Sequence, residues 1–551
     1  MTLDGPADLV LRGGRVATMD AHRTFASAVA VRGGRIVAVG GDAAVRDLIG
    51  PRTRVIELRD RSVTPGFGDS HVHPVSAGVG RLRCDLTGAH GVDTYIARIA
   101  SYATTHPDEA WIRGDGWSMS DFPGGIPHRT DLDRVVPDRP VYLDSRDGHT
   151  AWVNSKALEM AGVTADTLDP DDGRIERDAD GHPGGALQEG AADLVGRILP
   201  ADTPQELVAG LRLAQAELHS LGITTWQDAI VTPDREEMAY TTLAGRGELT
   251  GRVVGALWWD RTRGAEQIDE LIDRRGRTAI GRYAPTSVKL MQDGVLENGT
   301  GGLLDPYLDD DGRPTRNRGL SMIDPEALKG YVTRLDALGF QPHFHAIGDR
   351  AVREALDAVA AARLANGPTD TRPHIAHIQV IHPDDIGRFR ELGVIANAQP
   401  YWACHEAQMD ELTIPRLGPE RTTWQYPFAS LLAAGATLAM GSDWAVSTAD
   451  PLLEMEVAVD RIVDYHRGER PPFLPEQRLD LIEALAAFTN GTARVNHLEQ
   501  DSGSIEIGKA ADLVVLDRDL FDRAAGAIGE ARVVATFIDG VPVHEAPALE
   551  V

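Results

Sequence analysis

From about residue 204 the chain repeats one rhythm: an amphipathic helix, a glycine, a short apolar strand, then a polar residue where the strand ends. The helical stretch 205–220 stops at Leu221-Gly222 and leads into Ile223-Thr224-Thr225-Trp226-Gln227-Asp228. Asp324-Pro325 supplies an N-cap followed by proline at the first helical position. After it, Leu328, Tyr331, Val332, Leu335 and Leu338 fall on one helical face, Gly339 closes the helix and a strand follows over 340–345. Val352, Leu356 and Val359 mark the next helix, stopped by Asn366-Gly367-Pro368 and followed by the apolar run 375–381. The pattern returns through Gly393 into 394–398 and through Gly435 into 436–441. Helix and strand alternating over this length predict a parallel sheet, either open and doubly wound or closed into a barrel.

The polar residues decide between the two. His71, His73, Lys289, His345, His377 and Asp443 each stand at or near the C-terminal end of a predicted strand. An open sheet gathers its ligands at one switch point. A (β/α)8 barrel turns every strand's C-terminal end toward one central site. Six potential ligands from five strands fit the closed ring. The candidate strands outnumber eight by one or two, so 140–143 or 252–257 is expected to lie outside it.

The first of these strands carries Thr64-Pro65-Gly66-Phe67-Gly68-Asp69-Ser70-His71-Val72-His73-Pro74. In an extended chain residues i and i+2 point to the same side, so His71 and His73 aim both imidazoles at one point. Imidazole nitrogen is a ligand for Zn, Fe, Ni or Cu. A lone His-x-His is more often surface or satisfied core; here the other four residues give it company.

Both ends of the chain are β-rich. Gly13-Gly14 and Gly33-Gly34 stand between β-rich runs as hairpin signals, since glycine supplies positive φ without steric cost. Ala511-Asp512-Leu513-Val514 echoes Ala7-Asp8-Leu9-Val10 near the other terminus. The expected organisation is a small β-sandwich domain built from 1–62 and 500–551 and a (β/α)8 TIM-type barrel over 63–499. An irregular insertion, about 85–203, follows the first barrel strand. Within the insertion, the acidic, Gly-rich stretch 169–185 reads as an exposed loop or hairpin.

With 551 residues, 42% of them hydrophobic, the chain is long enough for such a core. Its net charge of −28 argues against nucleic acid and anionic membranes as partners, since both repel it. Cys84 and Cys404 are the only cysteines, too few for a disulfide scaffold or a thiolate zinc site. The start lacks a basic and apolar leader, and no apolar run reaches the ~18 residues needed to cross a bilayer. A soluble cytoplasmic protein acting on a small molecule, with a homodimer as one assembly, is the expectation.

The set of His-x-His, then Lys, His, His and Asp on later strands, resembles the amidohydrolase superfamily, and more narrowly the YtcJ-like group that includes N-substituted formamide deformylases. The resemblance spans nearly the whole chain. It rests on Pro65-Gly66-Phe67-Gly68-Asp69-Ser70-His71-Val72-His73, Gly222-Ile223-Thr224-Thr225, Val288-Lys289-Leu290-Met291-Gln292-Asp293-Gly294, His345-Ala346-Ile347-Gly348-Asp349-Arg350, Gly441-Ser442-Asp443-Trp444 and the tail 503–513. It implies that His71 and His73 bind one metal and His345 and His377 a second. It further implies that Lys289, carboxylated by CO2 to a carbamate, bridges the two, and that Asp443 binds a metal and acts as the base. The implied metal is divalent, Zn2+ first, one or two per chain. The implied reaction is hydrolysis of a C–N bond in an amide, N-formyl or cyclic amide. Where the group shows Ile-Glu-His, this chain has Ile375-Ala376-His377; His377 keeps the register and His374 is the other choice. Trp117, His149, Asp293, Tyr401 and Trp402 are nominated for substrate contact, and Cys404 as packing.

The lysine makes sense chemically. An ammonium repels a bound cation, whereas CO2 converts it into an anionic oxygen ligand; unmodified, Lys289 would pair with Asp293 or Asp443. Two other readings share the scaffold: a mononuclear aminohydrolase, which lacks a use for Lys289, and a non-catalytic regulator, which has no need of Asp443.

Overall fold

The structure, a computed structural model, describes residues 5–522, 524 and 526–547. Residues 1–4, which carry the start of the expected leaderless terminus, and 548–551 lie outside the described residues.

Eight parallel strands form the barrel sheet in unbroken chain order. They are β1 (Phe67–Val72), β2 (Ile223–Val231), β3 (Arg252–Trp258), β4 (Tyr283–Met291), β5 (Gln341–Ala346), β6 (His374–His377), β7 (Ile395–Ala398) and β8 (Leu438–Met440). Stretch 252–257, named above as one that could lie outside the ring, is its third strand. Its apolar run Val253, Val254, Ala256 and Leu257 is buried on both faces, as a central parallel strand requires. The seam between β8 and β1 is tied at the C-terminal end, where Asp443 N–H donates to His71 O at 2.7 Å and His73 N–H to Trp444 O at 2.8 Å. These two bonds fix the relative position of the first and last contributors to the site.

The helices are placed by their apolar stripes more than by intrinsic propensity. The helix Pro204–Ser220 opens with a capping box between Thr203 and Glu206 and buries Leu207, Leu211 and Leu218 against the barrel. Each such leucine contributes about 2 kcal/mol. It crosses the helix Pro74–Gly80 at a glycine pair. A β-carbon on Gly78 would stand 1.9 Å from the carbonyl oxygen of Gly210, so only glycine permits this approach. The crossing holds the segment that directly follows His73. Asp324 caps the helix Pro325–Ala337 as its sequence indicates, accepting from the amides of Glu326 and Ala327.

Strands from both ends of the chain join in one sheet, ordered Val541–Glu545, Val533–Ile538, Leu513–Leu516, Ser62–Pro65, Leu9–Ala17, Phe25–Arg32, Arg35–Gly40. Leu9–Ala17 is shared: its first half pairs with Arg54–Glu57 and its second with Ser62–Pro65. Gly13-Gly14 is where it shifts register, with Gly13 at φ 73°. This pair makes a bulge inside one strand and not the hairpin expected of it. Gly33 and Gly34, at φ 56° and 78°, do turn a hairpin.

A third sheet occupies the stretch between β1 and β2, ordered Gly173–Arg177, Pro183–Glu189, Thr150–Val153, Val141–Ser145, Ile112–Trp117, Cys84–Asp85. Stretch 140–143 therefore lies outside the barrel, as one of the two alternatives had it. Stretch 169–185 spans a hairpin whose second strand is fully buried. Among the described residues no helix is long and apolar enough to cross a membrane.

Candidate active site

At the C-terminal mouth of the barrel the six predicted residues come together. His71 Nε2 lies 3.3 Å from Asp443 Oδ1, and His73 Nε2 2.9 Å from the same oxygen. The potential ligand atoms of His71, His73 and Asp443 all fall within 4.8 Å of one another. Lys289 Nζ is 3.4 Å from His71 Nε2. His377 Nδ1 is 3.9 Å from Asp443 Oδ2, and the rings of His345 and His377 have centroids 4.5 Å apart. Only His73 is appreciably exposed; the other five are buried.

Local backbone accounts for how β6 and β8 deliver their residues. His377 and Asp443 adopt φ of 76° and 54°, uncommon for residues with a β-carbon. Strained backbone of this kind concentrates at functional sites. At His377 it turns the last residue of β6 toward the mouth. His374, three residues earlier, lies one layer deeper: its ring packs tilted against His343 with centroids 4.0 Å apart, and its Nδ1 meets Asn397 Nδ2 at 3.1 Å. The structure thus brings His377, and not His374, to the cluster.

Electrostatics set the protonation states. Burial, reinforced by the Lys289 charge, pushes His71 down to about 3. Burial likewise holds His345 and His377 well below the ordinary imidazole value. Burial opposes ionisation of Asp443, but His71 and His73 outweigh it and hold the carboxyl well below its usual range. Burial lowers Lys289 to about 7, so a fraction of the amine is neutral near physiological pH. Neutral imidazoles, an ionised carboxylate and a nucleophilic amine are the forms a divalent cation and CO2 require. His377 Nδ1 is also buried with no hydrogen-bond partner. An orphaned acceptor in such a cluster fits a cation as its missing partner. The donor set, imidazole nitrogen with carboxylate oxygen, suits Zn2+.

Of the five residues nominated for substrate contact, the structure places two in the cavity. His149 faces the mouth from the insertion, and Trp402 stacks on His377 with centroids 5.6 Å apart. Trp117 does not reach it. Its indole is fully buried against Phe122 and Trp152 and donates to Leu143 O at 2.9 Å, so it packs the insertion's core. Asp293 is also fully buried. It accepts from the amides of Gly302, Ile347 and Gly348 and meets His345 Nδ1 at 3.1 Å, which orients His345 and leaves no face for substrate. Tyr401 is half-buried outside the cavity wall and gives its amide to Glu454. Cys404 is packing: burial holds its thiol well above the ordinary value.

The cavity has two parts. An open funnel of about 560 Å³ rises from the six residues between barrel loops and insertion, walled by Ile230, Trp258 and Arg261 on one side and Arg146, His149 and Glu189 on the other. A pocket of about 50 Å³ continues past His377 toward Trp402, Met409 and Tyr426. Glu189 and Arg146 were missed from sequence. Glu189 had a signal of the kind used for the barrel, an acid closing an apolar strand just before Gly190. Arg146 sits in an irregular loop that offers none.

A nearly closed parallel barrel with imidazole, lysine and aspartate side chains gathered at its strand ends defines a metal-dependent hydrolase scaffold. The amidohydrolase family pattern matches residues 54–544, and the chain belongs to that family. It is 31% identical to Protein LONG AFTER FAR-RED 3 of Arabidopsis thaliana, over 98% of this chain and 92% of that one. It is 28% identical to the N-substituted formamide deformylase of Arthrobacter pascens, over 98% of each. Among solved structures, an uncharacterized metal-dependent hydrolase from Pyrococcus furiosus superposes with a TM-score of 0.70 at 27% identity, covering 93% of this chain and 99% of that one.

Proposed function

We propose that the protein hydrolyses a C–N bond in a small amide, N-formyl or cyclic amide compound, using one or two divalent cations that His71, His73, His345, His377 and Asp443 would hold, with Lys289, carboxylated to a carbamate, as a further anionic ligand. The observation that carries this reading is the convergence of His71, His73 and Asp443 ligand atoms within 4.8 Å beside the Lys289 amine. Bound there, a divalent cation would lower the pKa of water toward ~7 and draw charge from a carbonyl. The chain's own residues do the rest. Asp443, ionised and facing the cavity, takes the proton of the attacking water at a carboxylate oxygen and returns it to the departing nitrogen. Asp293 fixes the His345 ring through Nδ1, and so leaves Nε2 as its ligand atom. The small pocket accepts the compact acyl part, and the funnel takes the larger amine part. The likeness to a formamide deformylase supports N-substituted formamides as the first compounds to try.

The test is a panel of N-substituted formamides, N-acyl amines and cyclic amides, assayed for released amine before and after chelation. Turnover is expected to vanish in chelator and to return with Zn2+. Hydrolysis that survives complete metal removal contradicts the reading. Metal counting in the same samples separates two chemistries: one metal per chain with unmodified Lys289 assigns an aminohydrolase instead.

A further inference from the structure

We propose that His149 and Glu189 form the second half of the active site, in which His149 donates a hydrogen bond from Nε2 to the carbonyl oxygen of the substrate as that oxygen gains negative charge. This rests on the amide-hydrolysis reading above and adds a catalytic residue supplied by the insertion.

The arrangement is built from three separate segments. His149 follows the strand Val141–Ser145, and Glu189 ends the strand Pro183–Glu189. The amide of Glu189 donates to His149 O at 3.0 Å, which locks the two backbones together. His149 Nδ1 lies 2.9 and 3.0 Å from the two Glu189 oxygens. That nitrogen is therefore committed to the carboxylate. Nε2 has no partner among the described residues, and the ring forms part of the cavity wall, 5.5 Å from the His345 ring.

Glu189 is itself held in place from the barrel side. Thr300 Oγ1 donates to it at 2.8 Å and Asn298 Nδ2 at 3.3 Å. A β-carbon on Gly294 would stand 2.3 Å from Glu189 Oε1, so the loop after β4 leaves room for this carboxylate by having no side chain there. Glu189 also adopts φ 51°, a conformation that costs of order 1–3 kcal/mol and persists only where the surroundings over-determine it. A buried acid at a strained position, clamped by two donors and spent on one imidazole, is costly if the imidazole only packs. It is explained if the imidazole must face a reacting group in one orientation.

The charge fits the task. Burial opposes protonation of His149, but Glu189 more than compensates and raises the ring to about 9. The ring thus differs from the neutral imidazoles of His71, His345 and His377 across the cavity. A fixed donor facing a developing oxyanion is typically worth about 10²–10³ in rate.

The experiment uses the zinc-loaded full chain and formate as the probe, because a small carboxylate presents to the site an oxygen like that of the reacting carbonyl. His149→Asn is expected to weaken formate binding at least about 10-fold with zinc per chain unchanged. Glu189→Gln keeps the shape but not the charge, and should lower kcat about 10-fold with little change in KM. On any amide the wild type hydrolyses, His149→Asn should lose about 100-fold in kcat. Formate bound as tightly by His149→Asn as by the wild type overturns the proposal. So does loss of zinc or of the folded state in both variants, which would make the pair a structural clamp. Should the wild type hydrolyse no amide while formate still depends on His149, the amide reading fails and the assignment of His149 stands.

Discussion

Asp443→Asn is expected to lower kcat about 10³-fold while leaving at least one zinc per chain. The amide keeps the volume of the carboxylate and still offers an oxygen to the cluster, but it cannot take a proton. A positioned base supplies typically 10²–10⁴ in rate, so its loss falls mainly on kcat. The site sharpens this expectation. Asp443 Oδ1 is the point on which His71 and His73 both converge, and its amide bond to His71 O holds the loop in register whatever the side chain is. The variant should therefore fold. Steady-state kinetics on the best compound of the panel, with metal analysis of the same sample, checks both halves. A variant that keeps full kcat would show that Asp443 is not the base; the regulator reading would instead require that the wild type turns over no compound of the panel.

Lys289→Met should cost at least about 10²-fold in kcat/KM, equivalent to about 2.7 kcal/mol at about 1.36 kcal/mol per tenfold. Lys289 is 2% exposed, and burial has already drawn its amine down to about 7. An ammonium at this depth, with one imidazole at 3.4 Å and no carboxylate within ion-pair distance among the described residues, is poorly compensated as a structural cation. The sequence left pairing with Asp293 or Asp443 open as its unmodified role. Asp293 is instead occupied by three backbone amides and His345, and Asp443 by His71 and His73. A carbamate removes the difficulty, since it converts the cation into an anionic ligand. Two controls make the role specific. In Lys289→Gly, added acetate should restore part of the activity by placing a carboxylate where the carbamate stood. Lys289→Arg, which preserves charge and cannot be carboxylated, should be as inactive as Lys289→Met. Full activity in Lys289→Arg would show that only the charge matters.

Much of this architecture was legible because barrel strands announce themselves by repetition. Several of the later strands follow a helix stop and carry a polar residue at or within three positions of their C-terminal ends, so His345, Lys289 and Asp443 could be assigned to the barrel mouth from sequence. The errors lie where a local pattern has two physical solutions. Gly13-Gly14 and Gly33-Gly34 are the same dipeptide, yet one bulges a strand and the other turns a hairpin, according to which neighbours pair with the flanking residues. The register of Ile375-Ala376-His377 favoured His377 over His374, but the left-handed backbone that delivers its ring to the mouth is signalled by no residue type. Trp117 borders a glycine-rich loop as a binding aromatic often does, but the face it shows is set by Phe122 and Trp152, which fill the core of the insertion. Glu189 carried only the signal of an acid closing an apolar strand, and its role stayed hidden because its partner lies 40 positions away.

Everything proposed here depends on a cation seated among His71, His73 and Asp443. The most direct measurement is diffraction from zinc-reconstituted crystals on both sides of the zinc absorption edge. The account predicts an anomalous peak within bonding distance, about 2.0–2.2 Å, of His71 Nε2, His73 Nε2 and an Asp443 oxygen, with density extending from Lys289 Nζ. A fully loaded crystal with its only zinc peaks away from these side chains would contradict it.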